Sequence, residues 1–203
     1  MFELIPAFLT LFVVIDPVGL APTFLGLTEG LAQTEKRRIG LEASIIAFLV
    51  LAGASLFGAL LLKALDISLA AFRIAGGLLL FVIAFEMVFE LRHHRKAEDA
   101  IPAPQAHLAA FPLAVPLLAG PGAIAACILL AGRIGGDPLG LGLLIGIIAL
   151  ILAISALIFG LSGSLARLMG PRGLIVMGRL LGVLLAALAV QYVADGIRTL
   201  QAH

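Results

Sequence analysis

A carboxylate lies at the centre of an apolar stretch near the N-terminus. The stretch covers about residues 4–27, and within it Asp16 is followed by Pro17, Gly19 and Pro22. A helix that crosses a bilayer needs about 20 apolar residues, and a charged side chain at that depth is costly and typically functional. Proline removes a backbone donor and interrupts a helix. The pattern predicts a membrane helix that is broken mid-membrane, at Asp16.

A similar interruption occurs in the second half of the chain. The apolar stretch over about residues 108–132 contains Gly120, Pro121 and Gly122 near its middle. A helix that restarts after a break has backbone N–H groups without intrahelical acceptors, and its dipole adds partial positive charge there. Such an N-terminus attracts anions. The two breaks therefore predict two positive helix ends that flank one cavity.

Asp16 and the two helix ends together fit a small zwitterion. The carboxylate of an amino acid would meet the backbone amides, and its ammonium group would meet Asp16. Small neighbours, with Thr23 and Thr28 as hydroxyl donors, favour a small pocket. Asp16 could instead cap the restarted helix, which is compatible with substrate contact, and it is also our candidate for carrying a coupled proton. The predicted substrate-binding residues are Asp16, Pro17, Gly19, Pro22, Thr23, Gly120, Pro121, Gly122 and Ala123.

The composition indicates an integral membrane protein. Hydrophobic residues make up 62% of the chain and charged residues 12%, whereas soluble domains carry about 25% charged residues. The mean hydropathy is +1.20. We therefore expect a single transmembrane domain over residues 1–203. The net charge of +1 gives no indication of nucleic-acid binding. Because nucleotide-binding, hydrolase and metal-ligand motifs are missing from the sequence, we expect neither an enzyme, a cofactor nor a metal site.

Six apolar segments predict an all-α membrane fold, because open sheet edges are not tolerated in hydrocarbon. A polar linker over about residues 92–107 separates a first repeat, about residues 1–91, from a second, about residues 108–203. Three crossings per half would insert the second repeat upside down, and broken helices at matching positions are typical of secondary transporters. Alternatively, glycine and proline only permit close helix packing. The predicted segments cover about residues 4–27, 39–62, 69–89, 108–132, 139–161 and 174–196.

The distribution of Lys and Arg predicts the orientation of the chain. Basic residues are concentrated in the loops after segments one, three and five, which we expect on the cytoplasmic side. Both termini are then predicted to be periplasmic. The predicted cytoplasmic residues are Lys36, Arg37, Arg38, Arg92, Arg95, Lys96, Arg167 and Arg172.

Charged residues near the ends of segments three and six are candidates for gating or coupling. Two cross-pairs related by the repeat are predicted. Arg179 would pair with Glu86 or Glu90 at one end, and Arg73 would pair with Asp195 at the other. The alternative is that these side chains reach the interface without pairing. A further polar residue, Gln191, would either face the cavity or form a packing hydrogen bond.

Two stretches resemble signatures of the MarC family of membrane proteins: residues 16–28, which begin Asp-Pro-Val-Gly, and residues 112–124, which contain Ala-Gly-Pro-Gly. Weaker similarity covers residues 73–77 and 187–197. The resemblance implies a six-helix protein of the bacterial cell inner membrane, related to LysE-type exporters. For some members it implies transport of glycine and alanine.

The expected function is alternating-access transport of small neutral amino acids, with or without proton coupling. The alternatives are a passive small-solute channel and a non-transporting membrane assembly protein. The expected partners are a small zwitterionic amino acid and the lipid bilayer. The sequence does not decide whether protons are also transported, or whether the chain forms a homo-oligomer.

Overall fold

The computed structural model describes residues 4–89 and 108–201. These residues form helices joined by short turns, without a β-strand among them, so the predicted all-helical membrane architecture is confirmed. The whole predicted linker and Glu90 lie outside the described residues. The elements are α1 (Leu4–Ile15), α2 (Ala21–Leu27), α3 (Gln33–Ala64), α4 (Leu69–Val88), an irregular segment (Ala109–Leu118), α5 (Pro121–Ile134), α6 (Pro138–Gly160) and α7 (Ser162–Gln201).

Four described helices are long and apolar enough to cross a membrane: α3, α4, α6 and the Val176–Gln201 part of α7. The irregular segment and α5 form a fifth candidate span, bent by 57°. The first predicted span is divided into α1, with 12 residues, and α2, with 7. At 1.5 Å per residue α1 is about 18 Å long, which is less than the roughly 30 Å of the hydrocarbon core. The count of six spans stays a prediction.

Both interruptions have local causes in the sequence. α1 ends at Ile15 because Asp16 has a left-handed backbone, with φ 53°. In the irregular segment, Phe111 and Val115 have extended backbones. Each precedes a proline, and the proline ring disfavours the helical region for the residue before it. α5 then begins at Pro121, a first helical position where no backbone donor is needed.

Helices in equivalent positions of the two halves pack against each other. α4 lies along α7, α3 along α6, and α1 against α5. The α4–α7 pair is antiparallel: Gly77 meets Ala189 and Val193, whereas Met87, further along α4, meets Gly182. Glycine at these positions lets the two backbones approach closely. The pairing brings the last helix of each half together through the full length of α4.

The bundle has two ends that carry different side chains. At one end, the start of α3 meets the end of α6, where Gln33 Nε2 donates a hydrogen bond to the Gly160 carbonyl at 2.7 Å. At the other end, Gly132 near the end of α5 packs on Leu69 at the start of α4. We call this second end the Arg133 end, after the residue that follows Gly132.

Candidate functional site

Asp16 closes the turn that separates α1 from α2. Its side chain accepts a hydrogen bond from the Gly19 backbone N–H at 3.0 Å, and its carbonyl accepts one from the Leu20 N–H at 3.1 Å. Asp16 is only 4% exposed. The N-cap of α2 is Leu20, which makes no side-chain cap. Asp16 therefore does not cap α2; its carboxylate bonds to the turn before that helix.

Small and rigid residues shape the rest of this turn. A Cβ on Gly19 would lie 2.6 Å from Asp16 Cγ and 2.8 Å from Oδ1, so a side chain there would collide with the carboxylate. Pro17 is buried, and Pro22 and Thr23 are half-buried in the first turn of α2. The turn therefore holds the carboxylate close to its own backbone.

The second break leaves the start of α5 without a side-chain cap. Its N-cap is Gly120, with an extended backbone, and Pro121 takes the first helical position. Ile124 donates the first helical hydrogen bond, to the Gly120 carbonyl at 3.0 Å. The N–H groups of Gly122 and Ala123, which precede it, have no acceptor within the helix. Both of these residues are buried.

The two breaks lie next to each other. A Cβ on Gly122 would be 3.7 Å from Val14 Cγ1, 2.6 Å from Ile83 Cδ1 and 3.0 Å from Leu80 Cδ2. Val14 lies two residues before Asp16, and Gly122 lies two residues after Gly120. The last turn of α1 and the first turn of α5 therefore meet against the same part of α4.

Thr28 is not available as a donor to a bound solute. Its hydroxyl donates to the Phe24 carbonyl at 2.7 Å, and the side chain is buried. The expectation that Thr28 contributes a free hydroxyl to the pocket is therefore wrong. Phe24 also stacks on Phe159 of α6, with 4.6 Å between ring centres, which anchors α2 to the bundle.

The predicted ion pair between Arg73 and Asp195 is not formed. Asp195 lies instead 4.0 Å from Arg133 Nη2 and 3.8 Å from Arg198 Nη1. It also accepts a hydrogen bond from Gln191 Nε2 at 2.8 Å, so Gln191 bonds within its own helix. The antiparallel register brings Arg73 level with Asp195, but cations from α5 and from the next turn of α7 lie closer to the carboxylate.

Glu86 and Arg179 lie toward the other end of the α4–α7 pair. Glu86 is half-buried and Arg179 is exposed. Each of them takes part in an interaction, so neither is an isolated charge. Their pairing with one another stays a prediction.

Sequence reasoning did not anticipate the contact between Arg133 and Tyr192. The Arg133 guanidinium carbon lies 5.2 Å from the centre of the Tyr192 ring, a distance typical of a cation–π interaction. A signal for Tyr192 existed, because it is the single tyrosine of the chain. Arg133 has no place in the charged pairs that the sequence predicts.

The chain is similar to known membrane proteins over nearly its full length. A UPF0056 membrane protein of Archaeoglobus fulgidus is 37% identical over 195 residues, which cover 94% of this chain and 90% of the relative. The UPF0056 membrane protein YvbG of Bacillus subtilis is 33% identical, with 96% and 94% covered. The UPF0056 inner membrane protein MarC of Citrobacter koseri is 34% identical, with 90% and 88% covered.

No solved structure matches this chain. The family model described as MarC family integral membrane protein matches residues 1–201. This match includes both chain breaks and the helix pairs that enclose them. The chain therefore belongs to the MarC family of integral membrane proteins.

Proposed function

We propose that this protein is a secondary transporter of small neutral amino acids, such as glycine and alanine, that works by alternating access. One observation carries the proposal: the two chain breaks lie side by side, through the approach of Gly122 to Val14. A buried carboxylate belongs to one break and an uncapped helix start belongs to the other. The two halves of the site thus come from the two halves of the chain.

The chemistry of the two breaks matches the two ends of an amino acid. The N–H groups of Gly122 and Ala123, with the dipole of α5, would receive the substrate carboxylate. Asp16 would receive the ammonium group. A carboxylate has about four lone-pair sites, so the bond from Gly19 is compatible with this second role. The chain at the two breaks is rich in small residues, such as Gly19, Gly120 and Ala123, which suits a substrate with a small side chain.

The packing of equivalent helices supports an inverted repeat. α1 meets α5, α3 meets α6 and α4 meets α7, as expected if a pseudo-two-fold axis relates the halves. Broken helices in corresponding positions are the strongest sequence pointer to a transport site. In this proposal the halves rock against each other and expose the site to each side of the membrane in turn.

The names of the relatives support a location in the cell membrane. The MarC protein of Citrobacter koseri is called an inner membrane protein, and we propose the bacterial cell inner membrane for this chain, with both termini periplasmic. A proton that binds Asp16 would couple uptake to the pH gradient. A single chain supplies both halves of the proposed site, so a homo-oligomer is not required.

The test is uptake of labelled glycine and alanine into proteoliposomes, with and without a pH gradient. We expect saturable uptake by the wild type. In Asp16→Asn the apparent affinity for the amino acid should fall at least about tenfold, because one charge-assisted interaction with its ammonium group is removed. Asparagine keeps an acceptor for Gly19 and tolerates a positive φ, so the fold should survive. Asp137→Asn is the matched control, since the Asp137 carboxylate also accepts a hydrogen bond from a glycine N–H three residues later, at the exposed start of α6.

Each other outcome identifies an alternative. Flux that does not saturate and does not distinguish L-alanine from D-alanine would indicate a passive channel. An absence of flux for both amino acids would favour an assembly protein. Wild-type uptake in Asp16→Asn would remove Asp16 from the mechanism.

A further inference from the structure

A second group of charged side chains, which the proposed transport site does not use, lies at the Arg133 end of the bundle. Arg133 of α5 and Arg198 of α7 flank Asp195 of α7, and Arg73 of α4 lies level with Asp195 in the antiparallel helix pair. Arg133 lies over the Tyr192 ring, and the charge of Arg73 also acts on the Tyr192 phenol. Two cations thus flank the Asp195 carboxylate and a third, Arg73, lies nearby, so these four charged side chains have an excess of positive charge.

Asp195 does not satisfy the hydrogen-bond donors of these arginines. The distances of 4.0 Å to Arg133 and 3.8 Å to Arg198 exceed the roughly 2.7–3.2 Å of a hydrogen bond. Asp195 instead accepts its short bond from Gln191. Each guanidinium carries about five N–H donors. Several donors at this end of the bundle therefore have no protein acceptor among the described residues.

Of the three arginines, Arg73 has the clearest unsatisfied hydrogen-bond donor. Its Nε is the one buried side-chain nitrogen or oxygen without a hydrogen-bond partner in the part of the chain that the structure describes. Arg73 also forms no ion pair with another described residue. A buried donor without an acceptor is unfavourable, and a charged one in a membrane protein is more so. An oxygen-containing anion would accept a hydrogen bond from Arg73 Nε and would also balance the positive charge.

The surroundings of Arg73 combine buried side chains with a path to the protein surface. Tyr192 is 1% exposed, with Thr10 of α1 beside its phenol, whereas the Arg133 side chain is 44% exposed. The group thus extends from the interior to the surface. An open cavity of about 420 Å³ adjoins it at Leu69, one turn before Arg73, and at Gly132, next to Arg133; its charged lining residues are Lys63 and Asp66.

We propose that Arg73 and Arg133, together with Tyr192, form a binding site for a small oxyanion, a carboxylate or a phosphate. The planar guanidinium groups suit this chemistry, because they bind both kinds of oxyanion through paired N–H donors. The site is separate from the chain breaks and does not depend on transport. The same chemistry is offered by a free ion in solution and by the headgroup phosphate of an anionic lipid.

The chain carries its own probe for this site. It contains no tryptophan, and Tyr192 is its single tyrosine, so its ultraviolet emission reports on the proposed site alone. The full chain is reconstituted in phosphatidylcholine liposomes and titrated with sodium acetate or sodium phosphate, with sodium chloride at matched ionic strength. We expect a saturable change of the Tyr192 emission with at least one oxyanion and none with chloride.

Variants separate binding from general electrostatics. Arg73→Gln should weaken the apparent affinity at least about tenfold, and Arg73→Lys should give an intermediate value because it keeps the charge without the fork. Arg38→Gln, which removes an exposed charge at the start of α3, should match the wild type. Circular dichroism checks the fold of each variant. If Arg73→Gln does not fold, the partly exposed Arg133→Gln carries the test.

A second set of liposomes contains phosphatidylglycerol and identifies the source of the anion. If the lipid phosphate occupies the site, the anionic lipid alone changes the Tyr192 emission and suppresses the response to acetate and phosphate. If a free ion occupies it, the response persists. The proposal is overturned by a wild type without a saturable response in either lipid, by an equal response to chloride, or by unchanged affinity in the folded arginine variants.

Discussion

Gly19 is held against the carboxylate of Asp16, three residues before it in the chain. Its N–H donates to Asp16 Oδ1 at 3.0 Å, and the space that a Cβ would occupy at Gly19 is filled by the same carboxylate. Asp16 itself has a positive φ, which Asp and Asn tolerate better than most residues. The identity of both residues is therefore constrained by backbone geometry, whatever solute the protein binds.

The first prediction concerns Gly19→Ala. The added methyl group would push the Asp16 carboxylate out of the turn and break its bond to the backbone, so we expect a loss of about 1–2 kcal/mol in the free energy of unfolding. Gly26→Ala is the matched control, because Gly26 lies in α2 and its Cβ would meet nothing within 4 Å. That control should be neutral or slightly stabilising. Unfolding in detergent, followed by circular dichroism, measures both.

The second prediction separates the structural role of Asp16 from its charge. Asp16→Ala removes the acceptor for Gly19 and disfavours the left-handed backbone, and we expect a cost of about 1–3 kcal/mol. Asp16→Asn keeps both features and should cost less than about 1 kcal/mol. The same detergent unfolding experiment compares the two. Equal destabilisation by Ala and Asn would mean that the negative charge, not the turn, stabilises this region.

The chain breaks could be predicted from the sequence because proline and glycine act locally. Pro121 suits a helix start whatever the rest of the fold does. Pro112 and Pro116 likewise affect the backbone of the residue before them, although the predicted break covered only Gly120, Pro121 and Gly122. The apolar segments around α3, α4 and α6 were likewise marked by length and hydropathy. The bounds of the last helix were not predicted correctly, because Ser162–Gln201 extends beyond the apolar segment, about residues 174–196, in both directions.

The partners of the embedded charges could not be predicted in this way. The repeat correctly suggests that Arg73 and Asp195 lie at one level, yet it contains no information on a third helix. Arg133 reaches Asp195 because the end of α5 lies beside this part of α7. Such contacts depend on how distant elements dock, and hydropathy and spacing do not determine this.

The third prediction tests the packing of the second break, at Gly122, against Ile83 of α4. Gly122→Ala places a methyl group 2.6 Å from Ile83 Cδ1, and overpacking of this kind costs about 1–3 kcal/mol. Gly146→Ala in α6, where a Cβ meets nothing within 4 Å, should leave the free energy of unfolding unchanged. Shortening the neighbour in Gly122→Ala/Ile83→Val should recover part of the loss. Additive costs in that double variant would contradict the contact.

The last prediction tests the antiparallel register of α4 and α7, on which the inverted repeat depends. A Cβ on Gly182 would lie 3.0 Å from Met87 Cβ, slightly closer than the roughly 3.5–4.5 Å of a disulfide, so a small helix shift permits a bond. In a Cys127→Ala background, Met87→Cys with Gly182→Cys should form an intrachain disulfide on mild oxidation, seen by mass spectrometry as two thiols that resist alkylation until reduced.

Ala70→Cys with Gly182→Cys is the matched control. The carbonyl of Ala70 packs near Gly196, at the opposite end of the helix pair, and Ala70 is separated from Met87 by about 25 Å of helix. This pair should keep two free thiols. Because a parallel arrangement would bring Ala70 toward Gly182 and move Met87 away, the reverse pattern of cross-linking would rule out the antiparallel register. It would also remove the helix pairing that supports an inverted repeat, and with it the structural argument for alternating access.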